Sequence, residues 1–189
     1  MNTIQKCWGH LRTVLRHRHQ VILHCCRAGI LSQGLRHDLS KFSPTEFCPG
    51  VRYYQGTRSP NEGEREAFGY SLAWMHHKGR NRHHFEYWTD YNPATRNVEP
   101  VEMPVRYVVE MFCDRVAASK IYQKDAYRPD SALRYFLNAK PRRKIHPATS
   151  DLLDHQLTMV AEQGEDAAFA EARRLVRADR AQRKQAKRK

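Results

Sequence analysis

No stretch of this chain approaches the roughly eighteen consecutive apolar residues that a membrane-spanning helix requires, so a membrane-embedded protein is not expected. The first residues have neither the apolar core nor the small-residue cleavage site of a secretory signal, and a soluble cytoplasmic protein is the expectation. There is no Cys-x-x-Cys pair, which removes the zinc-knuckle readings. The five cysteines (Cys7, Cys25, Cys26, Cys48 and Cys113) are odd in number, which argues for reduced thiols and against a disulfide framework. They are expected to be small buried apolar residues; Cys25 and Cys26 are neighbours, so at most one faces the core. Internal repeats are absent, and biased composition is confined to the C-terminal tail.

Acidic residues are also few, 20 against 33 Lys and Arg, and the net charge of +13 first suggests a nucleic-acid partner. The excess is not spread evenly. Lys140, Arg142, Arg143 and Lys144 carry part of it, and Arg173 to Lys189 holds nine basic residues against the single Asp179. The rest of the chain is close to neutral. A phosphate backbone would therefore meet a loop and a tail, and weak nucleic-acid contact is expected there at most. With 189 residues, 40% of them hydrophobic, the chain is long enough for one domain with a real core. The boundaries expected are a domain over 1–164 and a basic, fraying helical tail over 165–189.

Helical spacing dominates. From Ile4 to Arg27 the residues Ile4, Trp8, Leu11, Leu15, Ile22 and Cys25 or Cys26 recur at three- and four-residue intervals, an amphipathic helix stopped by Gly29. His17, Val21 and His24 make a second stripe on it; His19 points about 160° from His17, at about 100° per residue. Ser43-Pro44-Thr45-Glu46 reads as a helix start with a capping box. Pro49 to Asn61 reads as an ordered loop, Glu62 to Met75 as one helix, and Asn92 to Pro104 as another loop. Pro104 to Tyr122 is a helix with Glu110 and Asp114 on one face. Helices over Ser131 to Asn138, Ser150 to Gln163 and Glu165 to Lys189 follow. The class is all-α.

The chemistry-bearing residues cluster twice. His37-Asp38-Leu39-Ser40-Lys41 puts two metal-binding side chains and a cation within one turn, at the junction of two elements. His76, His77, His83 and His84 place four of the eleven histidines within nine positions. One imidazole of each adjacent pair can reach a common centre while its neighbour hydrogen-bonds outward. Arg80 and Arg82 lie between the pairs as candidate phosphate clamps.

The run His37-Asp38-x-Ser40-Lys41 resembles the HDxGK signature of HD-domain metal-dependent phosphohydrolases, with Ser40 where glycine is usual. His17 before Val21 is similar to the HxxxV opening of that superfamily, and Cys113-Asp114-Arg115-Val116-Ala117-Ala118-Ser119 to the segment bearing its last aspartate. The resemblance implies an HD-like helical bundle, with His17, His37, Asp38 and Asp114 as the core ligands. His83-His84-Phe85-Glu86 looks like the added histidines of its five- and six-ligand branches. HDLSKFSPTEF, Tyr53-Tyr54-Gln55-Gly56, HHKGRNRHHFEYW and EMFCDRVAASK together resemble a family of uncharacterised bacterial and phage proteins, from about His17 to Tyr122.

The expected cofactor is one or two divalent ions among manganese, iron, zinc, nickel and cobalt, since imidazoles with carboxylates need no thiolate. A second ion would be held by the added histidines, with Asp38 bridging. The expected activity is hydrolysis of a small phosphomonoester or phosphodiester by activated water, with Lys41 and Asp38 as catalytic residues. Two rivals stand beside it, a di-iron oxygenase on the same scaffold and a non-enzymatic nucleic-acid-binding or interaction protein using the basic tail. The plain alternatives are a hydrogen-bonded His37–Asp38 pair, a polar surface loop for the histidine cluster, a packed His17 and an Asp114 paired with arginine. Glu46, Glu86 and Glu110 are read as structural, and His10, His146 and His155 as surface residues.

Overall fold

The computed structural model describes residues 1–187, and the last two residues of the expected tail lie outside them. The fold is predominantly α-helical: α1 (Thr3–Arg27), α2 (Leu31–Arg36), α3 (Pro44–Arg52), α4 (Pro60–Phe68), α5 (Leu72–Arg80), α6 (Val105–Gln123), α7 (Ser131–Ala139) and α8 (Pro147–Ala186). One antiparallel hairpin, β1 (Thr89–Asn92) with β2 (Asn97–Pro100), lies where a loop was expected; its register pairs Thr89 with Pro100 and Asn92 with Asn97. No helix among the described residues is long and apolar enough to cross a membrane.

α6 is the axis of the molecule. Val108, Val109, Met111, Phe112, Cys113, Val116 and Ala117 are all buried, because α6 is sandwiched between α1 and α8 and has little solvent face to offer. α1 turns His10, Val14, His17, Val21, His24 and Cys25 inward. The buried face is thus the histidine stripe. The N-terminal part of the apolar stripe faces water, with Ile4, Trp8 and Leu15 each more than half exposed, while Leu11 and Ile22 are half-buried. α1 ends in a Schellman motif: Gly29 takes φ +77°, its N–H donates to the Cys26 carbonyl, and Ile30 N–H donates to that of Cys25. That tight reversal drops α2 back alongside α1 and delivers His37 to its inner face.

Several boundaries differ from the sequence reading. α3 runs to Arg52 through an internal Pro49, and the stretch expected as one helix over Glu62 to Met75 is two. Gly69 breaks it at φ +79°, after which Ser71 Oγ accepts from Trp74 N–H and starts α5. α8 is interrupted at Gly164 (φ 85°, ψ 168°), the point at which a tail was expected to begin. Yet Ala168, Phe169, Ala172 and Val176 beyond it are buried in the same core as Phe112 and Val21, so the first turns of the supposed tail are core structure. Cys25 and Cys113 are buried and Cys26 is exposed, as expected of one of that neighbouring pair, but Cys48 is exposed against expectation.

Candidate metal centre

Four segments far apart in sequence meet below one cavity. α1 brings His17, the α2–α3 junction brings His37 and Asp38, α5 and the following turn bring His77, His83 and His84, and α6 brings Glu110 and Asp114. Asp38 sits at their centre in the left-handed region (φ 54°, ψ 25°), a conformation that costs a non-glycine residue energy and concentrates at functional sites. The turn it makes sends the carboxylate inward between the histidines.

The two oxygens of Asp38 face two groups of ligands. Oδ2 lies 3.3 Å from His37 Nε2 and 3.7 Å from His17 Nε2, and Asp114 Oδ1 lies 2.9 and 3.6 Å from His17 and His37 Nε2. Oδ1 lies 3.3 Å from His77 Nε2 and 3.5 Å from His83 Nε2. Within the first group (His17, His37, Asp38, Asp114) and within the second (Asp38, His77, His83, His84) the donor atoms all fall within 4.8 Å of one another. These approaches are not hydrogen bonds. His17 Nε2, His37 Nε2, Asp38 Oδ1, His83 Nε2 and His84 Nε2 are all buried without a hydrogen-bond partner. Orphaned lone pairs cost about 1–3 kcal/mol each when buried. Five converging on one volume fit a divalent cation, which takes imidazole nitrogen and carboxylate oxygen together.

Outer partners orient these rings. His37 Nδ1–H donates to Glu110 Oε1 at 3.1 Å, and His83 Nδ1 lies 3.4 Å from the same oxygen. The other Glu110 oxygen accepts from Gln33 Nε2. His77 Nδ1–H donates to Glu46 Oε2 at 2.7 Å. Each carboxylate orients its ring through Nδ1–H and turns Nε2 toward the centre, where a bound cation would take the place of any Nε2 proton. Glu46 therefore completes no capping box: Ser43 makes no side-chain cap, and the glutamate reaches across to α5 instead. Asn81 Nδ2 donates to Ser40 Oγ and to the His77 carbonyl, tying the central motif to the end of α5.

The charges are strongly coupled. Burial would lower the His37 pKa, but Asp38, Asp114 and Glu110 together outweigh it and hold it well above the ordinary value. His17 is lowered, because burial prevails where only Asp114 and Asp38 face the ring and Lys41 stands nearby. Burial would raise Asp38, but His37, Lys41 and His77 keep it well below the usual carboxylate range. Asp114 is depressed likewise, with His17 and His37 overcoming its burial. Lys41 Nζ lies 2.6 Å from Asp38 Oδ2. Burial pushes His84 well down, with His83 and His77 adding to the effect.

Three expected site residues stand elsewhere. Adjacent residues on α5 point about 100° apart; His77 reaches the centre, while His76 is held by Glu46 Oε1 at 2.7 Å and joins neither group. Arg80 and Arg82 are exposed on the outer side of the turn, and Arg82 reaches Tyr107 Oη at 3.4 Å. Neither lines the cavity of about 760 Å³ above the centre. The cations that do are Lys41, Arg58, Arg65, Arg115 and Arg143. Burial, with Arg143 beside it, brings the Arg115 guanidinium down to about 10. His10, expected on the surface, is buried in the cavity wall against Phe47 and lowered to about 4 by burial and Lys41. Glu46 and Glu110, read as structural from the sequence, are the carboxylates that orient the rings; for Glu110 the i, i+4 relation to Asp114 was the available signal.

No curated protein and no solved structure matches the chain. The model of a family of unknown function, DUF5662, matches residues 6–159, which hold every residue of the centre, and the chain belongs to that family.

Proposed function

We propose that this protein is a metal-dependent phosphohydrolase acting on a small phosphate ester. One observation carries the reading: both oxygens of the buried Asp38 are shared between two imidazole-rich donor groups on the floor of a cavity whose wall carries Lys41, Arg115 and Arg143 among charges of both signs. A pair of divalent cations held by these residues would suit displacement at phosphorus, with Lys41, Arg115 and Arg143 in the same cavity for its oxygens. The resemblance to HD-domain enzymes supports the same reading.

In this proposal His17, His37, Asp38 and Asp114 hold one ion, and Asp38 with His77, His83 and His84 a second. Divalent cations held there would supply Lewis acidity to water and to a phosphoryl oxygen. Glu110 and Glu46 fix the ring tautomers. Lys41, partly exposed at the cavity wall and held by Asp38, keeps a positive charge beside the reacting phosphoryl group. Elemental analysis of purified protein should find one or two manganese, iron, zinc, nickel or cobalt ions per chain. Hydrolysis of nucleotide and aryl phosphates should require them and vanish in Asp38→Ala. Protein with no bound metal, and inert with manganese or cobalt supplied, would overturn the reading; iron content with oxygen uptake and no hydrolysis would redirect it to an oxygenase on the same scaffold.

A further inference from the structure

Two guanidinium groups in the cavity have no carboxylate in contact, and Asp114 and Glu86 act on Arg115 only from farther off. Arg115 follows Asp114 on α6, and Arg143 lies in the segment between α7 and α8; both line the same cavity as His17, Asp38, Lys41 and Asp114. Among the described residues neither has a carboxylate within 4.0 Å, whereas Arg58 and Arg65 in the same wall are paired with Glu66 and Glu62. Arg115 Nε and Arg143 Nη1 are buried with no hydrogen-bond partner. The one polar contact recorded for the Arg115 side chain is Nη2 to Met111 Sδ at 3.9 Å. Aromatic rings brace both groups: Phe136 lies 5.8 Å from Arg115, and Phe85 and Tyr135 lie 5.8 and 5.5 Å from Arg143. Glu86 lines the cavity as well, but pairs with neither and has its own Oε2 buried without a partner.

Guanidinium nitrogens buried with no carboxylate in contact are costly, and two such groups in one cavity repel each other. Such a pair persists where a ligand supplies the missing charge, and the guanidinium fork matches phosphate oxygens in number and geometry. A carboxylate would neutralise one of the two; a phosphate dianion neutralises both. Resting on the hydrolase reading, we infer that Arg115 and Arg143 form a second phosphate subsite, so that the substrate carries one phosphate over the metal centre and another, which is not cleaved, on these arginines.

The subsite is tested apart from the chemistry by titrating metal-free protein with inorganic phosphate in a calorimeter. Wild type should bind phosphate, and Arg143→Gln should weaken that binding at least tenfold while its melting temperature shows it folded; Arg143 lies outside the helices, which makes it the safer variant beside Arg115→Gln. No phosphate binding by wild type, or equal affinity in R143Q, would overturn the subsite. In metal-loaded protein, the preference in kcat/KM for adenosine 3′,5′-bisphosphate over adenosine 5′-monophosphate should fall at least tenfold in R143Q, and an unchanged preference would refute the two-phosphate substrate. Phosphate binding that depends on Arg143 in a protein that hydrolyses neither compound would sink the hydrolase reading and keep the anion site.

Discussion

Glu110 holds two imidazoles with one carboxylate, His37 at 3.1 Å and His83 at 3.4 Å, one from each donor group. Since it sets the direction of both Nε2 lone pairs, Glu110→Gln should lower metal affinity about 10–100-fold with the ligands themselves intact. Competition with a coloured chelator measures this, and unchanged affinity would leave Glu110 a mere core residue. How legible such roles were depended on where the partner sits. His37, Asp38 and Lys41 announce themselves because they fall within five positions of the chain. Glu46 misled, because a glutamate three residues after Ser43 satisfies a local rule, and only the approach of α5 decides that it serves His76 and His77 instead. On α1 the stripe of His17, Val21 and His24 was legible, but that it outranks Ile4, Trp8 and Leu15 as the buried face was not: burying His17 and His24 is favourable only once Asp114 and the Cys113 carbonyl stand opposite them.

Among the elements, α8 shows how tertiary packing overrides composition. The charged run after Gly164 resembles a solvated tail, but four small or aromatic positions spaced along one face, Ala168, Phe169, Ala172 and Val176, are enough to dock it. Phe169 contacts Phe112 at 5.1 Å and His24 at 4.9 Å between ring centroids, and the Arg27 guanidinium lies 4.2 Å from its ring. Phe169→Ala should therefore cost about 3–5 kcal/mol in a denaturant titration, where a tail residue would cost nothing measurable. The long helices α1 and α6 were readable because their spacing persists over many turns. The hairpin was not, since Thr89 to Pro100 is largely exposed and offers no alternating apolar face. The break at Gly69 is visible only as a glycine, and glycine alone does not say whether a helix ends.

For the molecule as a whole, the centre gathers side chains from positions 17 to 114, so an ion bound there would act as a cross-link among four segments. Removing it with a chelator should lower the melting temperature by about 5–10 °C, from about 3 kcal/mol of linkage at a hundredfold excess over Kd. A melt indifferent to chelation would mean that the ligands do not share an ion. His24 adds a pH dependence. Burial lowers its pKa from 6.5 to about 4, outweighing the Cys113 carbonyl that favours the charged ring. The unfolded chain then binds the proton more readily than the folded one, so the stability contributed is complete above pH 6.5 and is lost as pH falls toward 4, about 3 kcal/mol in all. In chelated protein, His24→Gln should flatten the slope of stability against pH in that window; an identical slope would place the acid sensitivity elsewhere.

The interruption at Gly164 sends the basic end of the chain back across the mouth of the Schellman turn, where Arg173 donates to the carbonyls of Arg27 and Cys26 and Arg180 to that of Gly29. Guanidinium groups engaged as a clasp on α1 are poor cleavage points. Brief trypsin treatment should spare the bonds after Arg173 and Arg180 and trim first at Arg183 or Lys184, whereas an unattached tail would be nicked all along its length and shortened to the helix break.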